Sequence, residues 1–143
     1  MKKGFDYIGV CVCFYCHDGR GNYLFHRRSE QCRDERGRWD CGGGGIKHGE
    51  TIEQAVAREV SEEYGVQPIE IEPLGYSDVL RTIDERQSHW IAFRFRVLVE
   101  KDLVVNNEPE KHSELGWFNI NELPTPLHSQ IPKELEWYKH KLV

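Results

Sequence analysis

Hydrophobic side chains recur along the chain with two different periods. The first is a period of two residues, in which apolar and polar positions alternate. Between residues 90 and 99 the apolar side chains Phe93, Phe95, Val97 and Val99 alternate with arginines at 94 and 96. This alternation predicts a strand with one apolar face. Shorter apolar runs predict strands at residues 8–15, 23–26, 38–41, 74–82 and 115–120. A turn cluster at residues 17–22 separates the first two, so we expect them to form a hairpin.

The second period is helical and appears in two segments. Residues 51–64 place Ile52, Val56, Val60 and Tyr64 on one stripe, which predicts a helix facing the core. A capping-box pair, Thr51 with Gln54, starts this helix, and Gly65 provides its end. Residues 132–142 predict a terminal helix with a proline in its first turn. Strands and helices together predict one mixed α/β domain over residues 1–143.

Composition narrows the function classes. The net charge of −5 argues against a general nucleic-acid binder. The sequence contains no run of 18 apolar residues, so it predicts no membrane-spanning helix. Five cysteines, an odd number, indicate free thiols and therefore a cytoplasmic protein. Cys13 and Cys16 have the spacing of zinc ligands, but no second pair accompanies them. A zinc site is therefore disfavoured.

Three carboxylates of the first predicted helix, Glu59, Glu62 and Glu63, fall on one arc because they are three and four positions apart. They repel one another and lie near the negative end of the helix dipole, and a divalent cation relieves both effects. A merely solvated acidic face is the alternative. The glycines Gly42–Gly45, upstream of this helix, allow close backbone approach and positive φ.

The segment from Gly44 to Val66 resembles the Nudix box, G-x5-E-x7-R-E-U-x-E-E-x-G-U, where U is bulky aliphatic, at all nine specified positions. The resemblance implies an α/β/α sandwich around a mixed sheet. It also implies hydrolysis of a pyrophosphate bond in a nucleoside diphosphate linked to another group. The implied cofactor is Mg²⁺, with Mn²⁺ as the alternative.

The resemblance also implies roles for individual residues. Glu59 and Glu62 are expected to be catalytic, with Arg58 orienting the helix carboxylates. Glu50 is expected to join the acidic cluster or to stabilise the turn into the helix. The expected metal ligands are Glu59, Glu62, Glu63 and a backbone carbonyl at Gly43 or Gly44, completed by an acid of the loop before the last strand, with Glu108 preferred over Glu110 and Glu114.

Cations and glycines are the expected contacts to the substrate phosphates. Arg27 and Arg28 end the second predicted strand, and arginine binds phosphate in a bidentate manner. Gly44 allows close approach. Lys47 stands where many Nudix boxes carry a glutamate, so it is expected to contact a phosphate instead.

The sequence constrains the substrate only weakly. Nudix ADP-ribose hydrolases often carry a proline, and dinucleoside polyphosphate hydrolases a tyrosine, about sixteen residues after the box; residues 81–84 contain neither. We therefore expect a small-molecule (deoxy)nucleoside triphosphate, with no nucleic-acid or membrane partner, and a monomer or a homodimer. The alternatives are a nucleotide-sugar or ADP-ribose-type hydrolase, a nucleotide-binding sensor without catalysis and, least favoured, an isoprenoid-diphosphate isomerase.

Overall fold

A mixed sheet of seven strands organises the chain in a computed structural model that describes residues 1–143. The strands are β1 Gly9–His17, β2 Asn22–Arg28, β3 Trp39–Asp40, β4 Gly42–Gly45, β5 Glu70–Ile83, β6 Arg86–Leu98 and β7 His112–Asn119. The helices are α1 Ile52–Tyr64 and α2 Ile131–Leu142, and a 3-10 turn spans Lys101–Leu103. Neither helix has the length and apolar character needed to cross a membrane.

The central strand β1 has different neighbours along its length. It runs parallel to β6, which in turn pairs antiparallel with β5. On its other edge it forms the predicted hairpin with β2, but the register joins only His17 to Tyr23. Beyond that pair the two strands diverge, and β4 takes the edge of β1 from Cys11 to Phe14. The divergence opens a gap between β4 and β2, where the candidate site lies.

Each face of the sheet is covered by one helix. On one face, side chains of α1 pack against β1 and β6, with Val56, Val60 and Tyr64 fully buried. On the other face, Ile131 and other residues of α2 pack against Tyr15 and its neighbours. Two apolar clusters therefore enclose the sheet, and the predicted α/β/α sandwich is confirmed.

Helix α1 begins and ends as the sequence predicts. The Thr51 hydroxyl accepts a hydrogen bond from the Gln54 amide, and the Gln54 side chain accepts one from the Thr51 amide. Gly65 adopts φ 69° at the C-terminus, a left-handed conformation that a β-carbon disfavours. These caps set the ends of the helix, and its buried apolar stripe turns the carboxylate arc toward the sheet edge.

The prediction of positive φ in the glycine run is wrong. Gly42–Gly45 form strand β4, and the glycines with positive φ lie elsewhere in the chain. Close packing is what requires glycine here: a β-carbon at Gly42 would meet the Phe14 ring at 2.1 Å, and one at Gly44 would meet the Glu59 carboxyl carbon at 2.2 Å. Backbone flexibility is therefore not the reason for this run.

The arginine face of β6 is buried more deeply than alternation alone indicates. Arg94 is only 2% exposed, because α2 covers it and places the Glu134 carboxylate 2.8 Å from its Nε. Tyr15 donates a hydrogen bond to that carboxylate. Strands β5 and β6 also begin before their predicted starts. Strand β6 begins at Arg86, in polar residues beside the hairpin turn, and β5 begins at Glu70, which pairs with Leu98 at the other end of the hairpin.

Candidate active site

A cleft of about 790 Å³ opens beside strand β4. Its floor is formed by the glycines of β4 and by Cys11 and Cys13 of β1. The C-terminal half of α1 forms one wall, and the β5–β6 hairpin forms another with Arg81 and Trp90. The cleft exists because β2 leaves β1 and no side chain of the glycine strand fills the resulting space.

Four carboxylates line the wall of this cleft: Glu59, Glu62, Glu63 and Glu108. The first three come from α1, as their helical spacing predicts. Glu59 lies directly over Gly44, and Glu63 is 5% exposed and accepts a hydrogen bond from the Gly43 amide at 3.1 Å. The structure thus brings the predicted metal ligands and the glycine backbone into one place.

Arg58 connects these carboxylates to the turn before the helix. Its Nε and Nη2 donate to both oxygens of Glu50, at 2.7 and 3.0 Å, and Nη2 also donates to the Gly45 carbonyl. Its Nη1 reaches Glu59 at 2.8 Å and Glu62 at 3.3 Å. Of the two roles expected for Glu50, this geometry supports the turn-stabilising one, since Glu50 does not line the cleft.

Burial makes the carboxylates electrostatically unequal. Desolvation raises the pKa of Glu63 well above its usual range, and the charges of Glu59 and Glu108 raise it further. Desolvation also raises the pKa of Glu59, although Arg58 opposes the shift. In contrast, the hydrogen bond from Arg58 lowers the pKa of Glu50 to about 2. Glu59 and Glu63 therefore have too little positive charge beside them to offset their burial, whereas Glu50 is paired with Arg58.

Glu108 reaches the cleft because its loop is tied to the end of α1. The Asn107 amide donates to the Glu63 carbonyl, and the Asn107 side chain donates to the Ser61 and Glu62 carbonyls. The two other acids considered for this position lie outside the cleft: Glu110 is exposed, and Glu114 pairs with Arg27 at 3.3 Å. Glu108 is therefore the acid of this loop that joins the helix carboxylates.

Some of the predicted phosphate contacts also line the cleft, and others lie outside it. Arg28 and Gly44 line the cleft, whereas Arg27 turns outward to Glu114 and the exposed Lys47 lies away from the cleft. Other cations that the sequence did not single out also line the cleft: Lys2, Lys3, Arg33, Arg81 and Lys111. The cleft therefore combines the carboxylates of α1 with several cations, which suits a phosphate chain bound through a metal ion.

Three further cleft residues were not identified from the sequence. Asp40 lies 3.7 Å from Arg28, and burial raises its pKa to about 7. His26 and His112 stack behind Glu63 with ring centroids 3.7 Å apart. A signal existed for His26 and Asp40, because each is a polar residue within a predicted strand. His112 stands in a polar segment where nothing distinguishes it.

The donor set fits a divalent metal ion. Glu63 is a buried carboxylate whose hydrogen-bonding neighbour is a backbone amide, so it lacks a compensating charge in the protein alone. Glu59, Glu62 and Glu108 add oxygen donors on the same wall, and hard divalent cations prefer oxygen. A bound ion would supply a water of lowered pKa and neutralise phosphate charge. In this structure Arg58 holds Glu59 and Glu62, whereas Arg28 is paired with Asp34 and Asp40.

Comparison with known proteins agrees with this architecture. The NUDIX domain family model matches residues 8–138. The mouse protein 8-oxo-dGDP phosphatase NUDT18 is 33% identical over 102 residues, which are 70% of this chain and 29% of that protein. Nucleoside triphosphatase NudI from Escherichia coli (strain SE11) is 41% identical over 64 residues, which are 43% of this chain and 45% of that protein. The chain thus spans less than half the length of these curated relatives.

Solved structures share the whole fold. The MutT NUDIX hydrolase from Burkholderia pseudomallei superposes with a TM-score of 0.80 at 27% identity, over 92% of this chain and 98% of that one. The family model covers nearly all of the sheet and both helices, including the carboxylate wall of the cleft. The chain therefore belongs to the Nudix family, as a MutT-like member.

Proposed function

We propose that this protein is a Mg²⁺-dependent nucleotide pyrophosphatase that hydrolyses a (deoxy)nucleoside triphosphate. One observation carries the proposal: Glu59, Glu62, Glu63 and Glu108 meet on one wall of a cleft that several cations also line. Such a cleft suits a substrate with a phosphate chain and an attached group. Water attack on phosphorus needs a base, a metal-activated water and neutralised phosphate charge, and this wall provides the donors for all three.

The names of the relatives support this substrate class. One relative is called a nucleoside triphosphatase and another an 8-oxo-dGDP phosphatase. The second name favours an oxidised nucleoside diphosphate as a second candidate substrate, because that relative matches the larger share of this chain. Mg²⁺ is proposed over Mn²⁺ because all four side-chain donors are carboxylates, which are hard oxygen ligands. The cytoplasmic location and the monomeric or homodimeric state stay predictions.

The proposal is tested with a panel of nucleotides and purified protein. The panel contains ordinary and oxidised (deoxy)nucleoside triphosphates and diphosphates, nucleotide sugars and ADP-ribose, each with Mg²⁺ and with EDTA. We expect turnover of a triphosphate to a monophosphate and pyrophosphate in Mg²⁺ only. Turnover restricted to the nucleotide sugars or ADP-ribose would refute the substrate assignment.

The rival hypothesis of a sensor without catalysis gives a different result. A sensor binds a nucleotide with measurable affinity and leaves it intact during long incubation. Since the chain keeps all the box carboxylates, and three of them, Glu59, Glu62 and Glu63, line the cleft, we expect catalysis. Isothermal titration calorimetry beside the turnover assay separates the two hypotheses.

A further inference from the structure

Two histidines occupy the space behind the candidate metal ligand Glu63. His26 of β2 and His112 of β7 stack face to face, with ring centroids 3.7 Å apart and planes inclined by 18°. Each is 4% exposed. The Nδ1 atom of His26 lies 2.7 Å from the Tyr64 hydroxyl, and the Nε2 atom of His112 lies 3.5 Å from Glu63 Oε1. Because Glu63 and Tyr64 are consecutive in α1, the stack joins the sheet to the end of that helix.

Both imidazoles are buried beside α1, and burial lowers the pKa of each below its usual range. An imidazole carries at least one N–H donor in either protonation state. The buried Tyr64 hydroxyl and His26 Nδ1 are hydrogen-bonded to each other. A proton on Nε2 of His112 is favoured, because that nitrogen faces a carboxylate.

His26, His112 and Glu63 are close enough to suggest a metal site of their own, since nitrogens of the two histidines and an oxygen of Glu63 lie within 4.8 Å of one another. The stack argues against this. Imidazole lone pairs lie in the ring plane, and one ion cannot lie in two nearly parallel planes 3.7 Å apart. In addition, His26 Nδ1 is already hydrogen-bonded to the Tyr64 hydroxyl.

We propose that His112 is a positioning residue for Glu63. In this arrangement the His112 Nε2–H holds one carboxylate oxygen while the Gly43 amide holds the other, and both oxygens keep a lone pair for the metal ion. His26, anchored by Tyr64, fixes the plane of the His112 ring. The inference rests on the proposed function, because Glu63 is a metal ligand only there. Hydrogen bonds of this kind are often long until the ligand binds.

A histidine suits this position better than a lysine or an arginine. A lysine or arginine behind Glu63 would neutralise the carboxylate and compete with the metal ion for it. The N–H of an imidazole orients the carboxylate and leaves it available to the ion. His112 also fixes the neighbouring ligand loop, because its amide donates to the Glu108 carbonyl at 2.9 Å and its carbonyl accepts from the Asn106 side chain.

The test measures Mn²⁺ binding to the purified protein without nucleotide, from the electron paramagnetic resonance signal of free Mn²⁺. His112→Phe keeps the ring stack and removes the donor, so we expect Kd for Mn²⁺ to rise about tenfold or more. His112→Gln retains an N–H donor of similar reach, and its Kd is expected within about threefold of wild type. His112→Asn is too short to reach Glu63 and serves as a second loss variant if His112→Phe does not fold.

The matched control is His17→Phe. His17 is also buried and lies against a tyrosine ring, Tyr23 at 5.7 Å, but it does not line the cleft. We expect this variant to lose thermal stability and to bind Mn²⁺ as wild type does. Thermal melts of all variants in EDTA accompany the titrations, so that a general loss of folded protein is recognised.

Three results would overturn the inference: unchanged Mn²⁺ affinity in folded His112→Phe, an equal loss in His17→Phe, or tight Zn²⁺ binding that both His26→Ala and His112→Ala abolish. The last result would make the histidines metal ligands instead. Failure of the proposed function is seen separately, as wild-type protein that binds Mn²⁺ but hydrolyses no nucleotide. A wild type that binds no Mn²⁺ would refute both.

Discussion

The glycine strand offers a sharp test of the carboxylate wall, through the substitution Gly44→Ala. A β-carbon at Gly44 would lie 2.2 Å from the carboxyl carbon of Glu59 and 2.2 Å from its Oε1. The backbone accepts alanine, because Gly44 has no positive φ and lies in an extended strand. The obstacle is the end of a side chain, so the fold survives and Glu59 must move.

The size of that movement follows from ordinary contact distances. Unstrained contacts begin at 3.4 Å, so the carboxyl carbon must retreat by about 1.2 Å. The hydrogen bond between Arg58 and Glu59, now 2.8 Å, is lost or reorganised. A misplacement of about 1 Å in a catalytic group can cost about 100-fold in rate, and we expect a fall of that order in kcat/KM.

The neighbouring residue supplies the control. A β-carbon at Gly45 would meet only the Lys3 ammonium, at 3.8 Å, which is ordinary contact. We expect Gly45→Ala to keep kcat/KM within about threefold of wild type and to gain up to about 1 kcal/mol of stability, because alanine restricts the unfolded chain. Both variants are assayed with the best substrate of the panel and checked by circular dichroism. A Gly44→Ala enzyme as active as wild type, or an equal loss in Gly45→Ala, would refute the placement of Glu59.

Three further predictions concern the other charged groups. Glu62→Gln removes a half-exposed carboxylate of the cleft, so steady-state assays should show kcat reduced at least about 100-fold with an unchanged melting temperature; retained activity would contradict the role of Glu62. Glu63→Gln should raise the melting temperature in EDTA. Burial raises the pKa of Glu63 in the folded state, so its charge destabilises the fold fully above that pKa and not at all below the pKa of the unfolded state. The gain in melting temperature should therefore be larger at pH 8 than at pH 5, and equal gains would contradict this. Arg94→Met leaves Glu134 buried without its cation and should cost about 3–5 kcal/mol in urea unfolding, most of which Arg94→Met/Glu134→Leu should recover; no recovery would contradict the pairing.

The carboxylate face of α1 could be predicted because all its determinants are local. Helical spacing places Glu59, Glu62 and Glu63 on one arc, and the capping box and Gly65 set the ends of the helix. The apolar stripe then decides which way that arc faces. The structure places these three carboxylates in the cleft, together with Glu108.

Features that depend on strand register could not be predicted. Four consecutive glycines have no strand propensity, so β4 exists only because β1 offers it an open edge. Arg27 and Arg28 are adjacent in sequence and alternate in direction along β2, and the sequence does not show which of the two faces the cleft; Arg28 lines it and Arg27 does not. His26 and His112 meet only through the pairing of β2 with β7.

The central claim is that the carboxylate wall binds a divalent metal ion and that the protein then cleaves a pyrophosphate bond. The most direct measurement is phosphorus NMR of a (deoxy)nucleoside triphosphate incubated with wild-type protein in Mg²⁺, with parallel samples in EDTA and with Glu62→Gln. The account predicts nucleoside monophosphate and pyrophosphate in the first sample and intact substrate in the other two. Release of inorganic phosphate at an equal rate in all three samples, or intact substrate in Mg²⁺ across the whole nucleotide panel, would contradict it.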